Sequence, residues 1–447
     1  MKSRTFHAEL AWMGGTSVFS DVLIETGGGE FARVTPGAPA PTDAVRLPGL
    51  TLPGLANTHS HVFHRAIRGQ AQSGVADFWA WRDTMFRVAA QLDPDSLYRL
   101  ARATYAEMAL AGITSVGEFH YLHHDRGGKP YRDANAMGEA VVRAANDAGI
   151  RITLLDACYL QADIVGAPLQ GVRQRFDDGS FEGWAQRVQA LAPGPLTKIG
   201  AAIHSVRAVP RHALRPIYEF ADDRGLPLHL HLSEQTAENE ECLAAHGLTP
   251  TQVMDAEGVW SEQTTAVHAT HLTDIDIEIL GSTGTTISMC CTTERDLADG
   301  IGPAVRLARA GSPLCVGSDA HVVIDLFEEA RAIELDERLI SGRRGHFRVE
   351  ELLDALTSAG SASIGWQGGR IAPGGPADLV TIALDTPRTA GARVGDVLSH
   401  VVFAATDADV TTVVVAGEPI VEEGRHRLIE NVGGELEAAI AAVLSGS

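Results

Sequence analysis

A regular alternation of two kinds of segment constrains this chain more than anything else in it. Apolar, β-rich runs occur at residues 51–58, 112–119, 151–159, 198–205, 227–233, 264–272, 285–292 and 313–318. Helix-like stretches lie between them, at 94–111, 135–148, 211–224, 273–282 and 303–310. Strand followed by helix, repeated, predicts parallel βα units. Eight such runs within residues 51–365 suit a closed (β/α)8 barrel better than an open sheet.

The flanks follow another pattern. Residues 18–25 and 30–35 are short strand candidates separated by Gly and Pro, and 377–384 and 410–425 read as a strand and a hairpin. Neither flank can build a core alone. Together they predict a small β-sandwich made from both termini, residues 1–50 and 366–447, with the barrel inserted as 51–365. The segment IAPGGPAD (371–378) is the expected crossing point, and 433–444 a final helix. The fold class expected is α/β: a TIM-type barrel with a small terminal β-sandwich domain.

Composition limits the partners. Of 447 residues, 36 are Lys or Arg and 57 Asp or Glu, a formal net charge of -21. Such a surface repels nucleic acid and anionic lipid, so neither is expected as a partner. The five cysteines include no C-x-x-C, which argues against a disulfide framework or a thiolate zinc site. No stretch reaches about 18 apolar residues. The start MKSRTFHAELAW lacks an apolar signal core. A soluble, cytoplasmic protein is expected.

Chemistry gathers at the ends of the apolar runs. The first ends in His59-Ser60-His61, whose imidazoles share one face because strand side chains alternate. The fifth reads PLHLHLSE, with His229 and His231 on one face and Glu234 just past the end. The sixth ends in His268-Ala-Thr-His271, the eighth in Gly-Ser-Asp319-Ala-His321. One such cluster is unremarkable. Four at the carboxyl ends of barrel strands point to one rim site. His59, His61, His231 and Asp319 form the expected ligand set for one divalent metal, with Zn²⁺ favoured by three imidazoles and a carboxylate. Iron and manganese remain open. Glu234 and His268 are left to move protons and steady developing charge. Asp319, besides serving as a ligand, is expected to hold the attacking water in line with His268, which makes Glu234, His268 and Asp319 the expected catalytic set. A cytidine-deaminase type of zinc site needs C-x-x-C, which is missing. A two-metal site bridged by a modified lysine has only Lys2, Lys129 and Lys198 to draw on, and Lys198 opens the fourth strand at the wrong end.

The motifs HSH, HLHLSE, HATH and GSDAH, taken together, resemble the amidohydrolase superfamily in its one-metal aminohydrolase branch, over nearly the whole chain. Within that branch the chain is most similar to the deiminases of N-formimidoyl-L-glutamate, through FWAWRDTMF (78–86), EFHYLHHD (118–125), IHSVRAV (203–209), HLHLSEQ (229–235) and TTERDLADG (292–300). The resemblance implies hydrolysis of that substrate to N-formyl-L-glutamate and ammonia, a step of histidine degradation. It also implies that Arg82, Tyr121, His204 and Arg207 bind a small dicarboxylate, as guanidinium forks suit carboxylates. His64 stands where the family pattern has Gln. Arg295-Asp296-Leu297-Ala298 departs from a form with Asn-Leu-Gly. A homodimer is expected.

Plainer roles are expected for the other conspicuous residues. His120, His123, His124, His229, His271 and His321 are read as structural or supporting, and Glu118 has no evident role. Trp79 and Trp81 are read as packing residues that hold the loop carrying Arg82, after the first strand, and Cys290 and Cys291 as inert packing at a strand end. Two rival functions stand beside the main one. The first is an aminohydrolase of the same branch acting on a purine, pterin or guanidino compound, which would not need two arginine anchors. The second is a metal-free barrel used as a binding module.

Overall fold

A computed structural model describes residues 3–70 and 78–445; the side chain of Trp79 lies outside the described ones. The chain opens with four strands, β1 (Arg4–Trp12), β2 (Val18–Gly27), β3 (Glu30–Thr35) and β4 (Val45–Pro53). Eight more follow: β5 (Leu55–Ser60), β6 (Ile113–His120), β7 (Arg151–Cys158), β8 (Thr197–Ile203), β9 (Leu228–Leu232), β10 (Thr264–His268), β11 (Thr286–Met289) and β12 (Leu314–Val316). The last four are β13 (Leu379–Ile382), β14 (Val410–Val415), β15 (Glu418–Glu422) and β16 (Arg425–His426).

β5 to β12 pair in sequence order, all parallel, with helices between them. Their residues are buried almost without alternation, as in strands covered on both faces. Between β12 and β5 the ring closes through a Ser60–Asp319 bridge. His61 N donates to Asp319 O at 3.2 Å and Asp319 N to His59 O at 3.0 Å. Gly317 permits this approach, since a Cβ there would stand 2.6 Å from His59 Cβ and 2.8 Å from its backbone nitrogen.

The helices begin and end where local chemistry says they should. Asp93 caps the helix Pro94–Leu110 by accepting from Ser96 N, with Pro94 at the first helical position. Ala136–Ala148 stops at Gly149, whose φ is +84°. The amino end of the barrel is floored by the segment around the helix Ser358–Ser363. His229 donates through Nε2 to Ser363 O at 2.8 Å, and Lys198 Nζ donates to Gly365 O. Lys198 therefore lies at the opposite end from the strand carboxyl termini.

The terminal segments form one mixed eight-stranded sheet in the order β16-β15-β14-β13-β4-β1-β2-β3. It curls so that Glu30 bridges to Pro376, and it encloses a small core of Phe6, Val22, Ile24, Phe31, Leu47 and Leu379. The apolar run 51–58 is divided between the two sheets. Thr51–Pro53 pair with β13 in the terminal sheet, and after Gly54 the chain enters the barrel as β5. Hydropathy alone does not show that break, because both halves are fully buried. Among the described residues no helix is long and apolar enough to cross a membrane.

Candidate active site

The strand ends meet in a cleft at the carboxyl rim of the barrel. It is lined by His61, His64, Arg82, Tyr121, His204, Arg207, His231, Glu234, His268 and Asp319. His59 lies beneath it, fully buried. Every residue singled out above as ligand, proton carrier or anchor is thus at this cleft or directly under it. Arg82 stands on the helix Phe78–Gln91 rather than in a loop, and Trp81, Met85 and Phe86 of that helix line the walls together with Tyr159, Ala162, Phe176 and Leu297.

Backbone acceptors orient the imidazoles. His61 Nδ1 lies 2.8 Å from Phe119 O, and His231 Nδ1 lies 2.8 Å from His204 O. A carbonyl can only accept, so both Nδ1 atoms carry the proton and both Nε2 lone pairs face the cleft. Those two Nε2 atoms are 3.2 Å apart. His59 Nε2 and His61 Nε2 stand 3.3 Å and 3.5 Å from Asp319 Oδ1. Among the described residues neither ring nitrogen of His59 has a partner in hydrogen-bond geometry, the Asp319 contact included, although both are buried. The donor atoms of His59, His61 and His231 lie within 4.8 Å of one another, as do those of His59, His268 and Asp319.

Protonation favours the same reading. Burial holds His59, His61 and His231 below the usual imidazole range, so they are neutral. Burial pushes Asp319 up, but the imidazoles of His59, His61 and His268 outweigh it and hold the carboxyl well below its ordinary range. Neutral imidazoles and an ionised carboxylate, with converging lone pairs and orphaned buried nitrogens, fit a divalent cation.

The remaining acid–base groups adjoin this cluster. His268 Nε2 is 3.9 Å from Glu234 Oε1 and 4.0 Å from Asp319 Oδ2, while its Nδ1 is 3.3 Å from Glu294 Oε1. Burial lowers the His268 pKa, but Glu234, Glu294 and Asp319 prevail and raise it to about 10. Burial raises Glu234 above the ordinary carboxyl range against the pull of His268. Backbone strain collects here too. Ser233, His268, Ala269, Asp319 and His321 all have φ between 42° and 69°, a conformation that L-residues tend to keep only where the surroundings enforce it.

The rest of the cleft is basic and aromatic. His64 Nε2 meets the Tyr121 hydroxyl at 2.9 Å, and burial lowers the His64 pKa to about 4, so the ring is neutral. The His204 ring packs on Tyr159 with centroids 4.4 Å apart. Arg207 donates through Nε to Glu238 Oε2 at 2.8 Å. Arg82 and Arg207 both act electrostatically on Tyr159.

Supporting residues brace the rim: His271 and His321, expected in that role from the sequence, and Glu118 and Glu294, to which the sequence assigned none. Glu118 accepts from Val62 N at 2.7 Å and from Ser60 Oγ, fixing the H-S-H segment. His321, fully buried, lies 3.0 Å from both Ser60 Oγ and Ser318 Oγ. His271 donates to Asp299 O at 2.7 Å. Cys291 opens a short helix, Cys291–Asp296, that presents Glu294 to His268. For Glu294 the only sequence signal was its place in the TTERDLADG motif.

A closed parallel barrel with a cluster of His and Asp donors that could hold a cation at its carboxyl rim is the arrangement of a hydrolase of the amidohydrolase kind, and the chain belongs to the Amidohydrolase family, which it matches over residues 50–420. It is a deaminase-type hydrolase acting on C–N bonds. Among its relatives, the formimidoylglutamate deiminase of Pseudomonas aeruginosa is 35% identical over 410 residues, 89% of this chain and 90% of that protein. A 5-methylthioadenosine/S-adenosylhomocysteine deaminase of Natronomonas pharaonis is 28% identical, covering 92% of this chain and 90% of that one. The crystal structure of an amidohydrolase from Brucella melitensis superposes with a TM-score of 0.89 at 30% identity, over 99% of this chain and all of that one.

Proposed function

We propose that the protein hydrolyses N-formimidoyl-L-glutamate to N-formyl-L-glutamate and ammonia, the deimination step of histidine degradation. One observation carries the reading. The cleft that holds His61, His231, Glu234 and Asp319 also presents the guanidiniums of Arg82 and Arg207. The proposed substrate has the matching polarity, a basic amidine at one end and two carboxylates at the other. A neutral purine-like amine calls for no such pair of cations. The 35% identity to a formimidoylglutamate deiminase supports the same choice.

His59, His61, His231 and Asp319 would hold one divalent cation, with Zn²⁺ the best match to the donor set. When bound, that cation lowers the pKa of a water toward about 7 and polarises the carbon–nitrogen double bond. Glu234 carries both protons of the attacking water, one after the other, to the terminal nitrogen: the first as the water adds to the carbon, the second as the carbon–nitrogen bond breaks and the NH group leaves as NH₃. Water oxygen becomes the formyl oxygen, so the atoms balance. His268, steadied by Glu294, faces Asp319 and Glu234 and keeps the reacting groups aligned. Arg207 and Arg82 bind the carboxylates, while Tyr121, His204 and His64 offer polar groups along the wall.

The test is ammonia release from N-formimidoyl-L-glutamate by protein of counted metal content, with adenosine derivatives assayed in parallel. Release is expected with about one metal per chain. Glu234→Gln should keep the metal but lose about 10²- to 10⁴-fold in kcat. Arg207→Ala should act mainly on KM. Deamination of the adenosine compounds alone would overturn the substrate and leave the hydrolytic site standing.

A further inference from the structure

Glu238 lies four residues beyond Glu234, in the first turn of the helix Thr236–His246. On a surface helix an acidic residue there would be a solvated charge near the positive end of the dipole. Here it is only 2% exposed. Both of its oxygens are used. Oε2 accepts from Arg207 Nε at 2.8 Å, and Oε1 accepts from Ser233 N at 2.9 Å.

These contacts join two different parts of the rim. Arg207 belongs to the turn that follows β8, whereas Ser233 opens the segment that follows β9. Ser233 has φ +50°, which needs external support in a non-glycine residue. It stands immediately before Glu234 and two residues after His231. Because Glu238 occupies only Nε of Arg207, it sets the direction of the guanidinium without engaging both of its Nη groups.

We propose that Glu238 is a positioning residue that couples carboxylate recognition to proton transfer: it aims Arg207 at a substrate carboxylate and, with its other oxygen, holds the strained Ser233–Glu234 backbone. The proposal rests on the reading of Arg207 as a carboxylate anchor. It divides the two functions between two oxygens, and substitutions can separate them. In Glu238→Gln the amide oxygen still accepts from Ser233 N, while the amide NH₂ can no longer accept from Arg207 Nε. Glu238→Ala loses both contacts.

The experiment is a double-mutant cycle on the metal-loaded protein with N-formimidoyl-L-glutamate. Glu238→Gln should raise KM about ten- to a hundredfold, the range of one charge-assisted hydrogen bond, with a much smaller change in kcat. In an Arg207→Ala background the same substitution should change KM by less than about twofold, because its route of action is gone. Glu238→Ala, if it folds, should additionally lower kcat. Additive effects of Glu238→Gln and Arg207→Ala would overturn the proposal, as would a Glu238→Gln protein with unchanged KM. Calorimetric binding of glutarate to the same four proteins keeps this apart from the substrate assignment. Glutarate affinity showing the same non-additivity in a protein that does not turn over N-formimidoyl-L-glutamate would sustain the clamp and reject the substrate. Turnover with an additive cycle would reject the clamp alone. A wild-type protein that neither turns the substrate over nor binds glutarate would reject both.

Discussion

Asp178 is a carboxylate with too little positive charge around it. Its side chain is fully buried and accepts from Arg187 Nη2 at 2.7 Å and from Tyr159 N at 3.1 Å. Arg187 is also bound to the buried Asp156, at 2.8 Å and 2.7 Å. One guanidinium therefore serves two carboxylates. Burial dominates, and the Asp178 pKa rises from 3.8 to about 7 although Arg187 opposes the shift. The folded chain holds this proton more tightly than the unfolded one, so the group favours folding most below about pH 4 and loses that contribution as pH rises to about 7. At 1.36 kcal/mol per unit, the cost of ionising it grows by about 3 kcal/mol between pH 4.5 and 7.5. Asp178→Asn removes the titration. Whatever the stability offset between variant and wild type at pH 4.5, it should move toward the variant by roughly that amount at pH 7.5. Urea midpoints across the interval would show it, and a constant offset would mean that Asp178 is ionised throughout.

Among the elements, β5 and β12 carry the tightest constraint. Their closing bonds run through His59, His61 and Asp319, and Gly317 leaves no room for a side chain. A methyl group there meets backbone, which cannot rotate away. Gly317→Ala should cost about 1–3 kcal/mol, the usual range for overpacking, and should lower metal content with it. Thermal melts and metal counts read both, and a variant that melts like wild type with full metal would show that the strands can separate without loss. The elements that make this junction were readable from the chain, because polar residues ending an apolar run stand out wherever they occur. β1 and β4 were not. β4 contains Pro48 and Gly49, which read as breakers, yet it pairs in parallel with β1 through a register shift between Ala8 and Leu10. Glu9 Oε2 accepts the Gly49 N–H at 2.9 Å across that irregularity. Such a partnership depends on contacts far apart in sequence. The same holds for Glu238 and Glu294, since a single acid on a helix reads as a solvated face until the fold buries it. The residues around the cleft were legible; what holds them in place was not.

At the scale of the whole molecule, the proposed ligands come from the first, fifth and eighth barrel strands, so a bound cation ties together the edge where the ring closes. A cation that binds only the folded chain adds RT ln(1 + [L]/Kd), about 4 kcal/mol at a thousandfold excess over Kd. Unfolding entropy of roughly 2.1 cal/mol/K per residue scales to about 1 kcal/mol/K for a chain of this length. Chelation should therefore lower Tm by about 4 °C, a modest shift because the transition is large. The shift should return when the metal is restored. In His231→Ala the same treatment should move Tm much less, because the cluster has lost a donor that His204 O holds in place. A wild-type Tm unmoved by verified removal of the metal would place the cation outside the strand junction, and the convergence of His59, His61, His231 and Asp319 around the unpartnered nitrogens of His59 would need another explanation.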